Sequence, residues 1–270
     1  MRKCLFLVVF LISALGFAQK DWQVKFYSEK SGTGFRIYAD NDELTPISAI
    51  FTFTLKNMSS SLKTGELVLV PPQRKRFPVA TLTATDKNKS YSFEYRNSYN
   101  AGNIAQTTFD QDYVYELPFE TGKKVKIDQG YNGVFSHHNQ LALDFKMAEG
   151  SKIFAAREGK VVEVVENNSQ HCAQRDCAKF NNKIAIMHPD GTFGEYLHLQ
   201  QNGAAVNLGD VVTRGQFIGY SGNTGWSNGP HLHFSVFLNR INDRQYIQTK
   251  FRTGINTAEI LTEKQTYTKP

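Results

Sequence analysis

The chain has 270 residues, of which 40% are hydrophobic and 21% are charged, a balance that is ordinary for a folded soluble protein. This length is enough for two modest domains or one large domain. The formal net charge of +6 is mild, and the densest basic cluster, residues 74–76, is too short to be a polybasic run. The composition therefore predicts no nucleic-acid partner.

The first residues have the pattern of a secretory signal peptide. Arg2 and Lys3 precede an apolar run over residues 5–15, and residues 16–18 place small side chains at the −3 and −1 positions of a cleavage site. The run is short for a membrane span, and a retained membrane anchor is the competing interpretation. We predict a signal peptide over residues 1–18 and an exported mature protein, periplasmic or extracellular, with no later transmembrane segment.

Residues 19–116 show a β-type pattern. Short apolar or alternating segments recur between turn-like stretches, and they cover residues 23–27, 34–38, 49–55, 66–70, 79–85, 91–95 and 113–117. Short strands at this spacing predict an N-terminal β-sandwich of immunoglobulin-like type. The region has no histidine and no pair of acids at an informative spacing, so we assign no chemistry to it.

A second β domain is predicted over residues 117–245. Its first informative stretch, residues 135–145, carries His137, His138 and Asp144 in or beside an apolar strand. A lone carboxylate in such a strand is costly to bury unless it is paired or bound to a metal. Asp144 is therefore a candidate metal ligand, and an aspartate that pairs with an arginine or caps a turn is the alternative.

Strand–turn–strand patterns continue through residues 153–220. In the strand that ends at Leu199, alternation predicts that Tyr196 and His198 share one face while Leu197 and Leu199 take the other. His198 is thus a polar group on a strand that buries its opposite side.

The two cysteines of the mature chain, Cys172 and Cys177, lie close together in sequence. In an exported protein such a pair predicts a disulfide bond, and a second metal site that includes His171 is the competing interpretation. His188 ends a strand before a turn and is interpreted as structural. The polar residues 246–270 carry no motif and are predicted to form a C-terminal tail.

Residues 221–234 end in an H-x-H pattern. His231 and His233 alternate with apolar residues, and in a β-strand two such side chains leave the same face roughly 6.6 Å apart. Three glycines and a proline between residues 222 and 230 predict a sharp turn just before the strand. Two imidazoles on one face can share a metal or a reacting group.

Imidazole nitrogens and carboxylate oxygens suit zinc, and a catalytic zinc keeps three protein ligands and one open position for water. Water on zinc has a pKa of about 7 and can attack an amide at neutral pH, while further imidazoles can move the proton and stabilise the oxyanion. The spacing leaves open which residues bind the metal. The candidates are His137 or His138, Asp144, His198, His231 and His233.

Residues 117–239 resemble the lysostaphin-type zinc metallopeptidases, which cut peptide cross-links in peptidoglycan. The resemblance rests on five motifs in the order of the family: FSHHNQLALDF, AAREGKVVEV, EYLHL, GDVVTRGQFIGYSGNTG and GPHLHF. It implies a compact antiparallel β domain with one zinc ion per chain at the floor of a groove. It also implies which residues act: zinc ligands His137, Asp144 and His233, and a catalytic pair, His198 and His231.

This sequence departs from the commonest family pattern in three places. Six residues separate His137 from Asp144, whereas the commonest form has a shorter gap; some members have a longer one, which favours His137, and His138 is the alternative ligand. Lys152 stands where many members have proline, and the loop over residues 172–177 resembles an insertion. Neither of these two features is expected to touch the site.

The resemblance implies an active enzyme because all five site positions are filled. We expect an all-β protein in which an immunoglobulin-like sandwich precedes a monomeric zinc metalloendopeptidase domain that hydrolyses peptide cross-links of peptidoglycan. Two alternatives remain: a catalytically silent, envelope-binding regulator of other wall hydrolases, and a metallopeptidase that acts on exported proteins.

Overall fold

The computed structural model describes residues 22–270, and the predicted signal peptide lies outside them. This part of the chain contains 24 β-strands and one 3₁₀ helix, Arg175–Phe180, and it has no α-helix. The all-β prediction is confirmed. Between residues 22 and 270 no helix has the length and apolar character needed to cross a membrane.

The N-terminal region forms two antiparallel sheets. Their strands are β1 (Val24–Ser31), β2 (Gly34–Asn41), β3 (Ile47–Lys56), β4 (Met58–Ser60), β5 (Leu67–Val70), β6 (Arg74–Ala84) and β7 (Ser92–Ala101). One sheet has the order β1-β2-β6-β4 and the other the order β5-β3-β7.

A shared hydrophobic cluster joins these two sheets. In β6, Ala80, Leu82 and Ala84 are buried while the intervening threonines are exposed, as the period of two in a strand requires. Phe51 of the other sheet is fully buried and belongs to the same cluster as Leu82. The immunoglobulin-like assignment of the two sheets stays a prediction.

The remaining strands build the part of the chain that carries the candidate site. They are β8 (Val114–Tyr115), β9 (Lys124–Gln129), β10 (Ala142–Lys146), β11 (Lys152–Phe154), β12 (Gly159–Val165), β13 (His171–Cys172), β14 (Lys183–Met187), β15 (Phe193–Leu197), β16 (Leu199–Ala204), β17 (Val211–Val212), β18 (Phe217–Ser221), β19 (Gly225–Trp226), β20 (His231–Asn239), β21 (Arg244–Ile247), β22 (Lys250–Arg252), β23 (Ala258–Ile260) and β24 (Thr266–Thr268). A nine-stranded sheet has the order β17-β12-β14-β15-β20-β10-β9-β24, with β21 paired to β20.

Strand β20 lies in the middle of this sheet and separates two environments. Leu232, Phe234 and Val236 point into the main hydrophobic core. The alternate residues leave the opposite face, so His231 and His233 share that face. The sheet thus presents its histidines away from the core.

The far end of the same face contacts the N-terminal region. Phe193 and Phe237, which pair across β15 and β20, belong to the hydrophobic cluster of the two N-terminal sheets rather than to the main core. A Cβ on Gly102 would lie 3.0 Å from the Phe193 ring, so glycine permits a close approach there. The Asn239 amide donates to the Ala101 carbonyl at 3.1 Å, which ties β20 to β7.

Residues 246–270, expected as a polar tail, contain strands that pair with earlier ones. β22 runs parallel to β8, and β24 pairs antiparallel with β9 at the edge of the nine-stranded sheet. Phe251 and Leu261 are buried in the main core.

Candidate metal centre

Two of the candidate ligands lie opposite each other on neighbouring strands. The register of β10 and β20 pairs Asp144 with His233. As a result, Nδ1 of His233 lies 3.0 Å from Oδ1 of Asp144. Both side chains are mostly buried, with 13% of each exposed.

His137 joins this pair from the loop between β9 and β10. Its Nδ1 donates to the Gly130 carbonyl at 2.9 Å, and its Nε2 lies 3.2 Å from Asp144 Oδ1 and 3.2 Å from His233 Nδ1. The adjacent His138 is exposed. Of the two neighbouring histidines, the structure therefore brings His137 to the cluster.

The three side chains offer a donor set that fits a metal ion. One ligand atom from each of His137, Asp144 and His233 lies within 4.8 Å of the others. Because Nδ1 of His137 gives its hydrogen to a carbonyl, Nε2 of the neutral ring is an acceptor. Two imidazole nitrogens with one carboxylate oxygen are a typical zinc set.

The charge state of Asp144 supports the same conclusion. Burial alone would raise the pKa of this carboxyl, but the hydrogen bonds with His137 and His233 hold the pKa well below its ordinary value. Asp144 is therefore an anion at neutral pH, as a metal ligand must be.

His198 and His231 lie beside this cluster. The His198 ring is centred 4.5 Å from that of His231 and 6.0 Å from that of His233. Nδ1 of His198 donates to the Thr224 carbonyl at 2.7 Å, and Nδ1 of His231 donates to the Gly229 carbonyl at 2.7 Å.

These hydrogen bonds fix the tautomers of both rings. With each Nδ1 hydrogen engaged, Nε2 is the nitrogen that remains available to a bound group. Nε2 of His231 lies 3.7 Å from Asp144 Oδ1, so it faces the cluster. Burial, together with the nearby His231 and His233, lowers the pKa of His198 to about 3.

The predicted strand face of His198 was wrong, although its proximity to the cluster is as expected. Tyr196 and Leu199 both lie in the main core, whereas strict alternation would place them on opposite faces. His198 has a φ of 64°, a left-handed conformation that is uncommon outside glycine. This kink separates β15 from β16 and turns the ring to the site, away from Tyr196.

Sequence reasoning missed Gln129, which holds the second carboxylate oxygen of Asp144. Gln129 is opposite Asp144 in the register of β9 and β10, and its Nε2 donates to Asp144 Oδ2 at 3.3 Å and to Ser136 Oγ at 2.7 Å. A signal existed in the sequence, because Gln129 continues the buried alternation of Val125 and Ile127.

The predicted disulfide between Cys172 and Cys177 is confirmed, which leaves neither sulfur as a thiolate for a second metal. This loop contacts the segment that leads into the site. The Cys172 carbonyl accepts from the Ser227 amide at 3.1 Å, and β13 pairs with β19. The loop thus supports the segment between Thr224, which binds His198, and the turn before His231.

Two further residues singled out in the sequence, His188 and Lys152, make structural contacts. His188 is buried away from the cluster and donates from Nδ1 to the Glu158 carbonyl at 2.7 Å. Lys152 pairs with Tyr220 across β11 and β18 and lies 3.9 Å from Glu120.

Residues 137–246 match the family described as Peptidase family M23. The glycyl-glycine endopeptidase ALE-1 of Staphylococcus capitis is 36% identical over 102 residues, which are 37% of this chain and 25% of that protein. The peptidoglycan DD-endopeptidase ShyA of Vibrio cholerae is 35% identical over 95 residues, which are 35% of this chain and 19% of that protein. The solved catalytic domain of lysostaphin from Staphylococcus simulans is 31% identical, with 46% of this chain and 87% of that chain covered and a TM-score of 0.35.

The chain thus spans a quarter or less of the length of these two curated relatives. The family match begins at His137 and includes Asp144, His198, His231 and His233. It confirms the resemblance that the sequence motifs indicated. This chain therefore contains a peptidase family M23 domain, over residues 137–246.

Proposed function

We propose that the protein is an exported zinc metalloendopeptidase that hydrolyses peptide cross-links of peptidoglycan. The observation that carries the proposal is the convergence of three potential ligand atoms from His137, Asp144 and His233 beside two further imidazoles. The names of the curated relatives, a glycyl-glycine endopeptidase and a peptidoglycan DD-endopeptidase, supply the substrate class.

In this mechanism, His137, Asp144 and His233 would hold one zinc ion. Zinc, when bound, polarises a carbonyl and makes water a strong nucleophile at neutral pH. His198 and His231 each present Nε2 towards the substrate, where one can accept the proton of the attacking water. The protonated imidazole then stabilises developing negative charge or returns the proton to the leaving amine.

The division of the chain follows the sequence prediction. We propose a signal peptide over 1–18, an immunoglobulin-like sandwich over 19–116 and a metallopeptidase domain over 117–245. Because strands within residues 246–270 pair with β8 and β9, we propose that these residues complete this domain. Export agrees with the Cys172–Cys177 disulfide, which needs an oxidising compartment, and we propose that the mature protein is a monomer.

The test is incubation of residues 19–270 with purified peptidoglycan, with and without a chelator, followed by mass analysis of released fragments. We expect loss of cross-linked dimers that the chelator abolishes and added zinc restores. The masses identify the bond, a glycine bridge or a D-alanyl linkage. His137→Ala should abolish both zinc binding and cleavage, and His138→Ala is the matched control because His138 is exposed beside it.

The two alternatives give different outcomes in the same experiment. Cleavage of glycine-rich peptides or casein without cleavage of peptidoglycan would indicate that the substrates are exported proteins. Stoichiometric zinc without cleavage of either substrate would indicate a silent regulator. A protein that binds no zinc would overturn the proposal.

A further inference from the structure

Gln129 and Gly130, at the end of β9, contact two of the three proposed ligands. The Gly130 carbonyl accepts from His137 Nδ1 at 2.9 Å, and the Gln129 amide donates to Asp144 Oδ2 at 3.3 Å. Gln129 also exchanges hydrogen bonds with Ser136, the residue before His137. The orientation of both ligands therefore depends on where residues 129–130 lie.

The C-terminal segment holds the same two residues from the other side. Glu263 Oε2 accepts from the Gly130 amide at 3.0 Å. The Lys264 amide donates to the Ile127 carbonyl at 2.8 Å, and the Ile127 amide donates to the Gln265 carbonyl at 2.9 Å. These bonds extend the β24–β9 ladder up to the position of Gly130.

The packing at this point is close, so a side chain on residue 130 would press against the C-terminal segment. A Cβ on Gly130 would lie 3.0 Å from the Glu263 Cβ and 3.3 Å from its backbone nitrogen. Two residues before Glu263, Leu261 is 2% exposed and anchors the segment in the main core. The C-terminal segment is thus fixed at both ends of its contact with Gly130, by Leu261 in the core and by β24 on β9.

We infer that Glu263 is a positioning residue of the metal centre: by holding Gly130 it fixes the carbonyl that orients His137. The inference rests on the proposed role of His137 as a metal ligand. Glu263 and Gly130 both lie outside residues 137–246, so the family match does not include them. The C-terminal segment is therefore part of the centre and not an appendage to it.

The physical reason is the mobility that a loop ligand would otherwise have. Asp144 and His233 are fixed by strand pairing, but His137 comes from the loop between β9 and β10. Partners that orient a metal-binding histidine typically contribute 10–100-fold in metal affinity. Here the orienting carbonyl is itself held by a side chain from the other end of the chain.

The test measures zinc affinity by competition with a chromophoric chelator, using the full mature chain. We expect Glu263→Ala to weaken zinc binding about tenfold. Glu263→Gln retains an acceptor oxygen for the Gly130 amide and should recover most of the affinity. Gly130→Ala, which pushes the two segments apart, should weaken binding as Glu263→Ala does.

The matched control is Glu259→Ala. Glu259 lies in the same segment, and its carboxylate accepts from Thr253 rather than from β9. This variant should bind zinc like the unaltered protein. If Glu263→Ala and Gly130→Ala both keep full affinity, the inference is wrong, whereas absence of zinc binding by the unaltered protein would refute the proposed function instead.

Cobalt substitution gives a second readout that a purely structural role would not change. The visible absorption of bound Co²⁺ reports the geometry of its ligands, so Glu263→Ala should alter the spectrum when the site is saturated. Thermal unfolding of the metal-free variants shows whether the fold persists. An unaltered spectrum in a folded Glu263→Ala protein, together with unaltered affinity, would overturn the inference.

Discussion

Acidification should destabilise the protein through a buried histidine outside the metal centre. His188 is 2% exposed, and its Nε2 is buried without a hydrogen-bond partner among residues 22–270. Burial lowers the pKa of His188 to about 4, against an ordinary value of 6.5. The folded protein therefore keeps this ring neutral at a pH at which the unfolded chain binds a proton.

The surroundings of His188 leave this direction intact. The Glu158 carbonyl, which accepts from Nδ1, raises the pKa of His188, as do the Asp190 and Glu158 carboxylates, while the Arg157 guanidinium lowers it further. The Tyr115 ring, centred 6.1 Å away, closes another side. Burial is the largest cause, so the neutral ring is favoured in the folded state.

The sign and size of the effect follow from proton linkage. The contribution of His188 to stability is complete above its unfolded pKa of 6.5 and is lost as the pH falls towards its folded pKa of about 4. At pH 5 the unfolded chain is almost fully protonated at this ring and the folded protein is not. The loss relative to neutral pH is about 2 kcal/mol at 1.36 kcal/mol per pKa unit.

The assay is urea unfolding of chelator-treated protein at about pH 7.5 and about pH 5, compared with His188→Asn. Asparagine can still donate to the Glu158 carbonyl but does not titrate. The unaltered protein should lose about 2 kcal/mol more than the variant between the two pH values. Equal losses would show that His188 is protonated in the folded state and would refute this reasoning.

Three further predictions concern the surroundings of the site. Arg244→Met should lower the free energy of unfolding by about 3 kcal/mol in urea titrations, because Glu195, 6% exposed, loses its bidentate partner; a loss below about 1 kcal/mol would contradict this. Replacing both cysteines of the 172–177 loop by serine should cost about 2 kcal/mol and reduce kcat more than zinc affinity, and unchanged kcat would show that the loop does not support the site. Gly225→Ala should destabilise by about 2 kcal/mol or more, measured as a lower melting temperature, because φ is +80° and the new Cβ would lie 1.6 Å from the Asn181 side chain; an unchanged melting temperature would exclude this strain.

Much of the fold was predictable because strand alternation depends on local sequence. The H-x-H spacing placed His231 and His233 on one face, and the apolar strand around Asp144 marked its carboxylate as costly to bury. Both inferences need only the local pattern of a strand. The structure places Asp144 and His233 in adjacent strands, directly opposite each other.

Other features were not predictable because they depend on backbone geometry or on distant contacts. Alternation alone could not show that His198 adopts a positive φ. Nothing near Glu263 in sequence indicates that it meets Gly130, 133 residues away. Phe193 and Phe237 have the pattern of core residues, but the core they enter belongs to the N-terminal sheets.

That last contact covers one end of the face of β20 that carries His231 and His233. His233 and Phe237 leave the same face of β20, four residues and therefore about 13 Å apart along the strand. The N-terminal sheets cover Phe237, and Ser235, between these two residues on the same face, is 2% exposed. The face of β20 that carries the candidate metal ligand His233 is therefore closed on the Phe237 side, and access along this strand is one-sided.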